Sequence, residues 1–374
     1  MKTMKLASLG LCTVLALSAV MACTETRLVN GPPATPADGD AGAAPTEDPL
    51  AALSTDWKTR AASYLDGSTK KWLAGPPDVG QNTRCAMSCH TTAASLMASQ
   101  LLGGISSATD ARSQFEERVG QLKAGTAIPF YGADGDAKTK QSAATESVLN
   151  AVTLGLDDLA KGGGLSATTK TALDVMWSKQ SSDGSWAWLE FGLDPWETRN
   201  DWGTAMAALI AGSIPADSTS GQAAGITKIK SYVKANLGKM VLHDKIAVLW
   251  ASGSLSGLLD ESQADEIANA IVAKQHDDGS FALLSWGEGK LAKDSGASDG
   301  YATALAVLGL CKGTSNGMKR PEVISGLKWL AANQAADGSW PGRSVNSTAA
   351  LQKGFMTDAA TAYATIAIST CVQK

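Results

Sequence analysis

Two kinds of segment alternate along most of the 374-residue chain. Three segments with apolar residues at helical spacing, 167–179, 262–274 and 321–333, each run into a motif of the form Q-x-x-D-G-S-W or Q-x-x-D-G-S-F. Apolar residues three and four apart predict amphipathic helices. Because the glycine allows a left-handed turn and Asp and Ser bond nearby backbone groups, each motif is expected to end its helix, with the aromatic side chain packed over the turn.

A second pattern follows each motif. The Ala-rich stretches DWGTAMAALIAG, DGYATALAVLGLC and DAATAYATIAIST begin at Asp201, Asp299 and Asp358. An acid near the first turn favours a helix N-terminus, and small side chains favour an inner helix that packs closely. Weaker copies are placed by the same spacing: outer helices near 56–65, 110–123 and 222–237, and inner helices near 90–102, 144–159 and 243–259. The pattern predicts an all-α fold of six helical hairpins, enough to close an α/α6 toroid with an inner and an outer ring.

The motifs resemble the QW repeats of the squalene–hopene cyclase and protein prenyltransferase superfamily, whose fold is an α/α6 toroid. The resemblance covers nearly all of residues 56–374, and three of the six copies carry a recognisable motif. It implies the fold and leaves the chemistry open, because one scaffold hosts cyclases, transferases and binding proteins. The sequence contains no D-x-D-D acid of class II cyclases, which argues against terpene cyclisation.

The N-terminus predicts export. Lys2 and Lys5 precede an apolar run that closes on VMAC, typical of a secretory signal and similar to the lipobox of bacterial lipoproteins. We therefore expect a signal peptide at 1–22, lipidation of Cys23, a disordered tether at 23–55 and the toroid at 56–374. The expected location is the cell envelope, anchored to a membrane by lipid, at the outer membrane or on the periplasmic side. A plain signal peptide is the alternative.

The composition limits the classes of molecule that the chain is expected to bind. The net charge is −4 and the pI about 5.5, which gives no indication of a nucleic-acid partner. Eleven Trp against five Phe and five Tyr indicate that the repeat places tryptophan deliberately. A barrel lined by tryptophan is expected to bind a small molecule, either apolar or a glycan.

Aligning the copies places six residues where a loop meets an inner helix, on one rim of the toroid: His90, Glu146, Asp201, His243, Asp299 and Asp358. The four acids are candidate catalytic residues, because paired carboxylates serve as acid and base in α/α6 glycosidases. Capping of the helix N-terminus is the alternative for each of them.

Cys85, Cys89 and His90 form the most specific motif. C-x-x-C-H is the attachment signature of c-type haem, in which the histidine ligates iron, and CAMSCHTT has one residue more between the cysteines. The stretch is also similar to the C-x-S-C-H-T box of exported QW-repeat proteins. We expect haem c here, with His243 as the preferred second iron ligand and Met206 and Met356 as alternatives. A disulfide between the two cysteines and a zinc site with a rim acid remain open.

Cys311 and Cys371 fall near the ends of the last two inner helices, which are neighbours in a closed toroid. A disulfide is expected in an oxidising compartment, with two buried thiols as the alternative. Three functions follow from these motifs: a haem protein with a redox partner, a non-redox binding protein for a lipid or glycan, and a hydrolase that uses the rim carboxylates.

Overall fold

Helices make up almost all of the regular structure. The computed structural model describes residues 48–75, 87–126, 135–283, 286–287, 290, 295–346 and 350–372, and in these ranges there are twelve α-helices and no strand. The first, third and later odd-numbered helices are α1 Trp57–Ala74, α3 Ala108–Lys123, α5 Ala167–Ser178, α7 Gln222–Asn236, α9 Glu261–Val272 and α11 Pro321–Ala332. The even-numbered helices are α2 Ala94–Ser99, which continues a π-helical turn Cys89–Ala93, and α4 Gly135–Lys161, α6 Asn200–Ser213, α8 Leu242–Ser252, α10 Gly300–Gly313 and α12 Ala350–Thr370.

The even-numbered helices form a closed inner ring. Each packs against the next, from α2 through α12, and α12 packs back against α2. Each odd-numbered helix lies outside and packs on the inner helix that precedes it in the ring, and α1 packs on α12. The inner helices are buried on all sides, as Ala207, Ala247 and Ala306 show with no exposed surface. The predicted α/α6 toroid of six hairpins is confirmed.

The aromatic residues of the motifs end the outer helices as predicted. Trp186 and Trp340 have no exposed surface, and their indole Nε1 atoms donate to the carbonyl oxygens of Met176 at 2.8 Å and Leu330 at 2.7 Å, in the helices just completed. The motif glycine has a positive φ in each copy, for example +92° at Gly338, which only glycine adopts easily.

The motif glutamines join neighbouring hairpins, a role that the sequence did not reveal. Gln180 Nε2 donates to the carbonyl oxygen of Gly184 in its own turn and to that of Gly225 in α7. Gln334 makes the same pair of bonds, and its second acceptor is the carbonyl oxygen of Trp57 in α1, at 3.0 Å. The last motif therefore bonds to the first outer helix and closes the outer ring.

Some helix limits differ from the sequence prediction. Helix α1 runs to Ala74, not Leu65, because its buried face continues through Thr69 and Trp72. Helix α8 ends at Ser252, not Leu259, because Gly253 starts a series of turns. Helix α4 begins at Gly135, about two turns before the predicted start.

The disulfide between Cys311 and Cys371 joins the ends of α10 and α12, with 5.9 Å between the two Cα atoms. Residues 1–47, which include the expected signal peptide, Cys23 and most of the tether, lie outside the described residues, as does Cys85. None of the helices in the described ranges is long and apolar enough to cross a membrane.

Candidate functional site

The segment between the first motif-bearing turn and α6 closes the centre of the toroid. We call residues 187–199 the plug segment; it has no regular helix or strand. Trp188 and Trp196 on this segment are buried, with 2% and 3% of their surface exposed. The Trp188 Nε1 atom donates to the carbonyl oxygen of Trp196 at 2.6 Å, and the Leu189 amide donates to Thr145 Oγ1 of α4 at 2.9 Å.

Trp196 fills the middle of the inner ring. Its indole lies 4.4 Å from the His90 ring and is stacked on Trp202 of α6, with 5.6 Å between ring centroids. Tyr301 of α10 and Tyr363 of α12 contact it at 5.3 and 6.1 Å. Because these partners come from four inner helices or their first turns, the indole occupies the place where a toroid would hold a ligand.

A row of hydrogen bonds leads from Trp196 to the start of α8. Trp196 Nε1 donates to Tyr301 Oη at 2.6 Å, and the same oxygen lies 2.8 Å from His243 Nε2. The other ring nitrogen of His243 lies 2.8 Å from Asp244 Oδ1. Both nitrogens of His243 are engaged, so in this arrangement the histidine cannot serve as the iron ligand that the sequence suggested.

Cys89 and His90 face the same centre. His90 Nδ1 lies 3.1 Å from Cys89 Sγ, and the His90 ring packs between Trp196 and Phe355. Burial lowers the pKa of His90 to about 4, so its imidazole is neutral at physiological pH. Burial raises the pKa of the Cys89 thiol, and the nearby Glu197 raises it further.

Two small cavities border Trp196. Both are lined by Cys89, Leu149, Trp196 and Trp202, and each has a volume of about 20 Å³. That volume holds about one water molecule. The second cavity is also lined by Thr153, whose buried hydroxyl has no hydrogen-bond partner within the described part of the chain. A buried hydroxyl without a partner is costly, which indicates that a water or a ligand group satisfies it.

Haem does not fit beside His90 while Trp196 is in place. A porphyrin is many times larger than either 20 Å³ cavity, and the space in front of the imidazole is filled by the indole. Haem attachment therefore requires the plug segment to leave the centre. In the described ranges no three His, Cys, Asp or Glu side chains come together to hold a metal ion.

The four rim acids each have a local partner. Glu146 is paired with Arg118, which donates Nε to Glu146 Oε2 at 2.8 Å. Asp201 accepts a hydrogen bond of 2.7 Å from the Tyr232 hydroxyl of α7. These bonds hold an outer helix against an inner one.

Of the other two acids, only Asp299 has the capping role predicted for a helix start. Asp299 caps α10 by accepting from the Ala302 amide at 2.8 Å. Asp358 lies inside α12 and accepts from the Thr91 hydroxyl at 2.7 Å, and burial raises its pKa. These bonds favour the structural interpretation of the rim acids over an acid–base pair.

Glu197 is an acid in the centre that the sequence did not single out. It lines the first cavity, and burial raises its pKa to about 7, against the opposing effect of Lys138. Because folding raises its pKa, Glu197 contributes most to the free energy of unfolding below the ordinary pKa of a glutamate, and this contribution is lost as the pH rises through about 7.

Glu197→Gln is therefore expected to remove part of the loss of stability between pH 5 and pH 8. Urea unfolding of wild type and variant at both pH values measures this. Glu190→Gln is the matched control, because Glu190 lies on the same segment and is exposed. An equal loss in wild type and Glu197→Gln would contradict the assignment.

A larger groove of about 420 Å³ lies outside the ring. It is bordered by Arg118, Lys140 and Lys179 at the ends of α3, α4 and α5. It shares no residue with the two central cavities, so it is separate from the site around Trp196.

Comparison with known proteins gives fold neighbours only. No protein-family model and no curated protein matches the chain. Among solved structures, the type II terpene cyclase MstE from Scytonema in its apo form is 12% identical, with 86% of this chain and 99% of that chain covered and a TM-score of 0.49. A polysaccharide lyase is 14% identical, with 85% and 99% covered and a TM-score of 0.46. An unsaturated glucuronyl hydrolase is 13% identical, with 83% and 95% covered and a TM-score of 0.49. Similarities this distant transfer no activity to the chain.

The sequence patterns predicted the residues at the starts of the inner helices. They did not predict the residues that contact these helix starts at the centre of the toroid. Trp196 and Glu197 lie in LDPWET, a stretch outside the repeat pattern, and Tyr301 is one of several aromatics on inner helices. The excess of tryptophan was the available signal, since Trp188, Trp196 and Trp202 all lie at the centre and none belongs to a QW motif.

Proposed function

We propose that this protein binds a planar, largely apolar small molecule at the centre of its toroid, in the place that the Trp196 indole occupies. What supports this is the position of that indole, held on its faces and edges by His90, Trp202, Tyr301 and Tyr363. A side chain from a non-helical segment fills a slot built by four inner helices. The slot is suited to a flat ring system because aromatic side chains line it.

The polar groups of the slot define the ligand further. Tyr301 accepts a hydrogen bond from the indole N–H, so a ligand that takes this place needs a donor at the same position. Thr153 offers, in the adjoining cavity, a hydroxyl that has no partner among the described residues. The ligand class is therefore a fused-ring compound with a hydroxyl or N–H group at one end, and this chemistry favours an apolar polycycle over a glycan.

The plug segment is held at the rim by polar contacts. Asn346 Oδ1 accepts from the Asp194 amide at 3.1 Å and from Lys290 Nζ at 3.0 Å, and the Lys290 amide donates to Asp194 Oδ2 at 3.2 Å. Water can replace such partly exposed bonds at low cost. The inner helices pack directly against one another, so opening the centre would not require unfolding the toroid.

Trp196→Ala is expected to bind a planar ligand more tightly than wild type. The probe is 1-hydroxypyrene, a flat phenol larger than indole, followed by its fluorescence. Burial of the indole stabilises the closed segment by roughly 1.5–3 kcal/mol, and since about 1.4 kcal/mol is a factor of ten, we expect Kd to fall roughly ten- to hundredfold.

Trp186→Ala is the matched control. It removes an equally buried tryptophan that belongs to a motif turn, and it is expected to leave the Kd of the probe unchanged. If wild type fails to bind the probe, or if both variants change its affinity equally, the central site is not the binding site.

Covalent haem at Cys85, Cys89 and His90 is the second candidate. What favours it is that Cys89 and His90 both face the slot, with a neutral imidazole as haem iron requires. In that case the haem would be the planar occupant, and a redox partner would be expected.

The haem proposal has a direct test. Wild-type protein matured in a host that attaches c-type haem is expected to keep a haem stain after denaturing electrophoresis, and Cys85→Ala with Cys89→Ala is expected to lose it. An unstained wild-type band would leave the non-covalent ligand as the proposal.

Export and lipid anchoring at Cys23 belong to the same proposal. The signal peptide and lipobox-like sequence support them, and a lipid at Cys23 would hold the toroid at a membrane through the Pro- and Ala-rich tether at 23–55. In this arrangement the toroid faces apolar molecules that partition into the envelope, which agrees with the apolar slot.

A further inference from the structure

Four side chains form a continuous row of hydrogen bonds through the centre of the toroid. Asp244 and His243 start α8, Tyr301 lies in the first turn of α10, and Trp196 comes from the plug segment. All four are buried, with at most 3% of their surface exposed. A buried row of this kind must have a donor and an acceptor at each contact.

The chemistry of the four groups places each proton. An indole N–H can only donate, so the Tyr301 oxygen accepts from Trp196. The single phenol proton of Tyr301 is then directed to His243 Nε2, which accepts it. His243 must therefore carry its own proton on Nδ1, where it donates to the Asp244 carboxylate.

We propose that Asp244, His243 and Tyr301 form a general-base relay that removes the proton from a phenol or enol hydroxyl of the ligand bound in place of Trp196. This inference rests on the proposed function. Tyr301 is the catalytic residue because its oxygen touches the ligand hydroxyl, while His243 and Asp244 act through it as positioning residues.

The step balances without an oxidant or a second substrate. A ligand hydroxyl in the position of the indole N–H gives its proton to the Tyr301 oxygen, and the phenol proton of Tyr301 moves to His243 Nε2. The ligand becomes an anion, Tyr301 remains a phenol, and His243 becomes an imidazolium that faces the Asp244 carboxylate. The same path run backwards returns the proton to the ligand oxygen, so the step is reversible.

The surroundings favour transfer through Tyr301 over ionisation of Tyr301 itself. Burial raises the pKa of Tyr301 well above its ordinary value, so the isolated phenol keeps a proton. Tyr363 lies edge-on to Tyr301, with 5.1 Å between ring centroids, and narrows the site around the reacting oxygen. The ligand anion would lie close to the new positive charge on His243, which stabilises it.

The test uses Trp196→Ala protein with 2-naphthol, because a fused two-ring phenol matches the vacated indole space and its binding does not require the plug segment to open. The absorbance of 2-naphthol reports whether the bound phenol is ionised. An opposite charge within about 4–6 Å lowers a pKa by roughly 1–3 units, and we expect the pKa of bound 2-naphthol to fall by that amount relative to the free compound.

Two further variants separate the relay from mere binding. Adding Tyr301→Phe, or Asp244→Asn, to Trp196→Ala is expected to abolish the pKa shift while 2-naphthol still binds. Tyr232→Phe in the same background is the matched control, since Tyr232 also donates to a carboxylate, that of Asp201, but lies outside the row and lines neither central cavity, and it is expected to keep the shift.

Each outcome is decisive. A shift that depends on Tyr301 and Asp244 supports the relay. Binding without a shift, or a shift that survives Tyr301→Phe, overturns the relay and leaves the proposed function standing. If wild type fails to bind 1-hydroxypyrene but the relay variants behave as expected, the proposed function fails alone. Failure of Trp196→Ala to bind 2-naphthol overturns both.

Discussion

Trp340→Ala is expected to lower the free energy of unfolding by about 3–5 kcal/mol, the usual cost of removing a fully buried large aromatic side chain. Trp340 has no exposed surface, donates to the Leu330 carbonyl oxygen and meets Trp57 of α1 edge-on at 6.3 Å. It therefore packs where the last hairpin meets the first, and its loss opens a cavity at the closure of the ring. Urea unfolding monitored by circular dichroism measures the change.

Trp340→Phe is the matched variant, because Phe281 occupies the same position in another motif of this chain and is equally buried. It keeps most of the ring and loses one hydrogen bond, so the expected loss is about 1 kcal/mol. An Ala variant within 1 kcal/mol of wild type would mean that the motif does not join the hairpins as described.

Arg112→Met is expected to cost a similar amount, about 3–5 kcal/mol, because it leaves the buried Asp158 carboxylate without its charge partner, while Asp157 keeps its ion pair with Lys161. Arg112 forms ion pairs with Asp157 and, at 2.9 Å, with Asp158, and both acids are buried at the C-terminal end of α4. Burial alone would raise the pKa of Asp158, but hydrogen bonds from Thr169 and Ser166 and the charge of Arg112 lower it overall. The network ties α3, α4 and the start of α5 together.

Lys70→Met is the control for this variant. Lys70 pairs with Asp66 at 2.7 Å on α1, and its side chain is 60% exposed. An exposed pair contributes at most about 1 kcal/mol, so this variant should unfold almost as wild type does. If Arg112→Met and Lys70→Met cost the same, the α4 network is not a stabilising one.

The stability added by the lowered pKa of Asp158 should also be lost as the solution is made more acid.

The repeat made the fold predictable. The roles of Asp, Gly and Trp in Q-x-x-D-G-S-W are local and can be inferred from their chemistry. Gly338 adopts the left-handed conformation of the turn, Asp337 accepts a hydrogen bond of 3.0 Å from the Ser339 amide, and Trp340 packs on the helix that has just ended. Three clear copies then set the spacing for the weaker ones. The role of Gln334 was not predictable, since its second acceptor, the Trp57 carbonyl oxygen, lies 277 residues earlier in the chain.

The centre of the toroid was predictable only in part. His90 and His243 were placed correctly at the starts of inner helices, but their partners depend on contacts between residues far apart in sequence. Tyr301 lies 58 residues from His243, and Trp196 lies 105 residues from Tyr301. The plug segment does not follow the repeat, so no periodicity indicated that it fills the slot.

The rim acids show why sequence position does not define a catalytic pair. Their spacing suggested that they share a rim, and an acid near a helix start has a structural role of its own. In the structure Asp201 is bonded to Tyr232, Asp299 caps α10 and Asp358 holds Thr91. The relay proposed at the centre uses Tyr301 and His243 instead of these acids.

The competition between Trp196 and a ligand for one place can be measured directly by fluorine NMR. Protein labelled with 5-fluorotryptophan reports on all eleven tryptophans, and Trp196→Phe assigns the resonance of Trp196. On titration of wild type with 1-hydroxypyrene, we expect the buried Trp196 resonance to disappear in proportion to the bound probe and a solvent-exposed one to replace it, while the Trp340 resonance stays in place. Saturation with the probe while the Trp196 resonance stays unchanged would contradict the account.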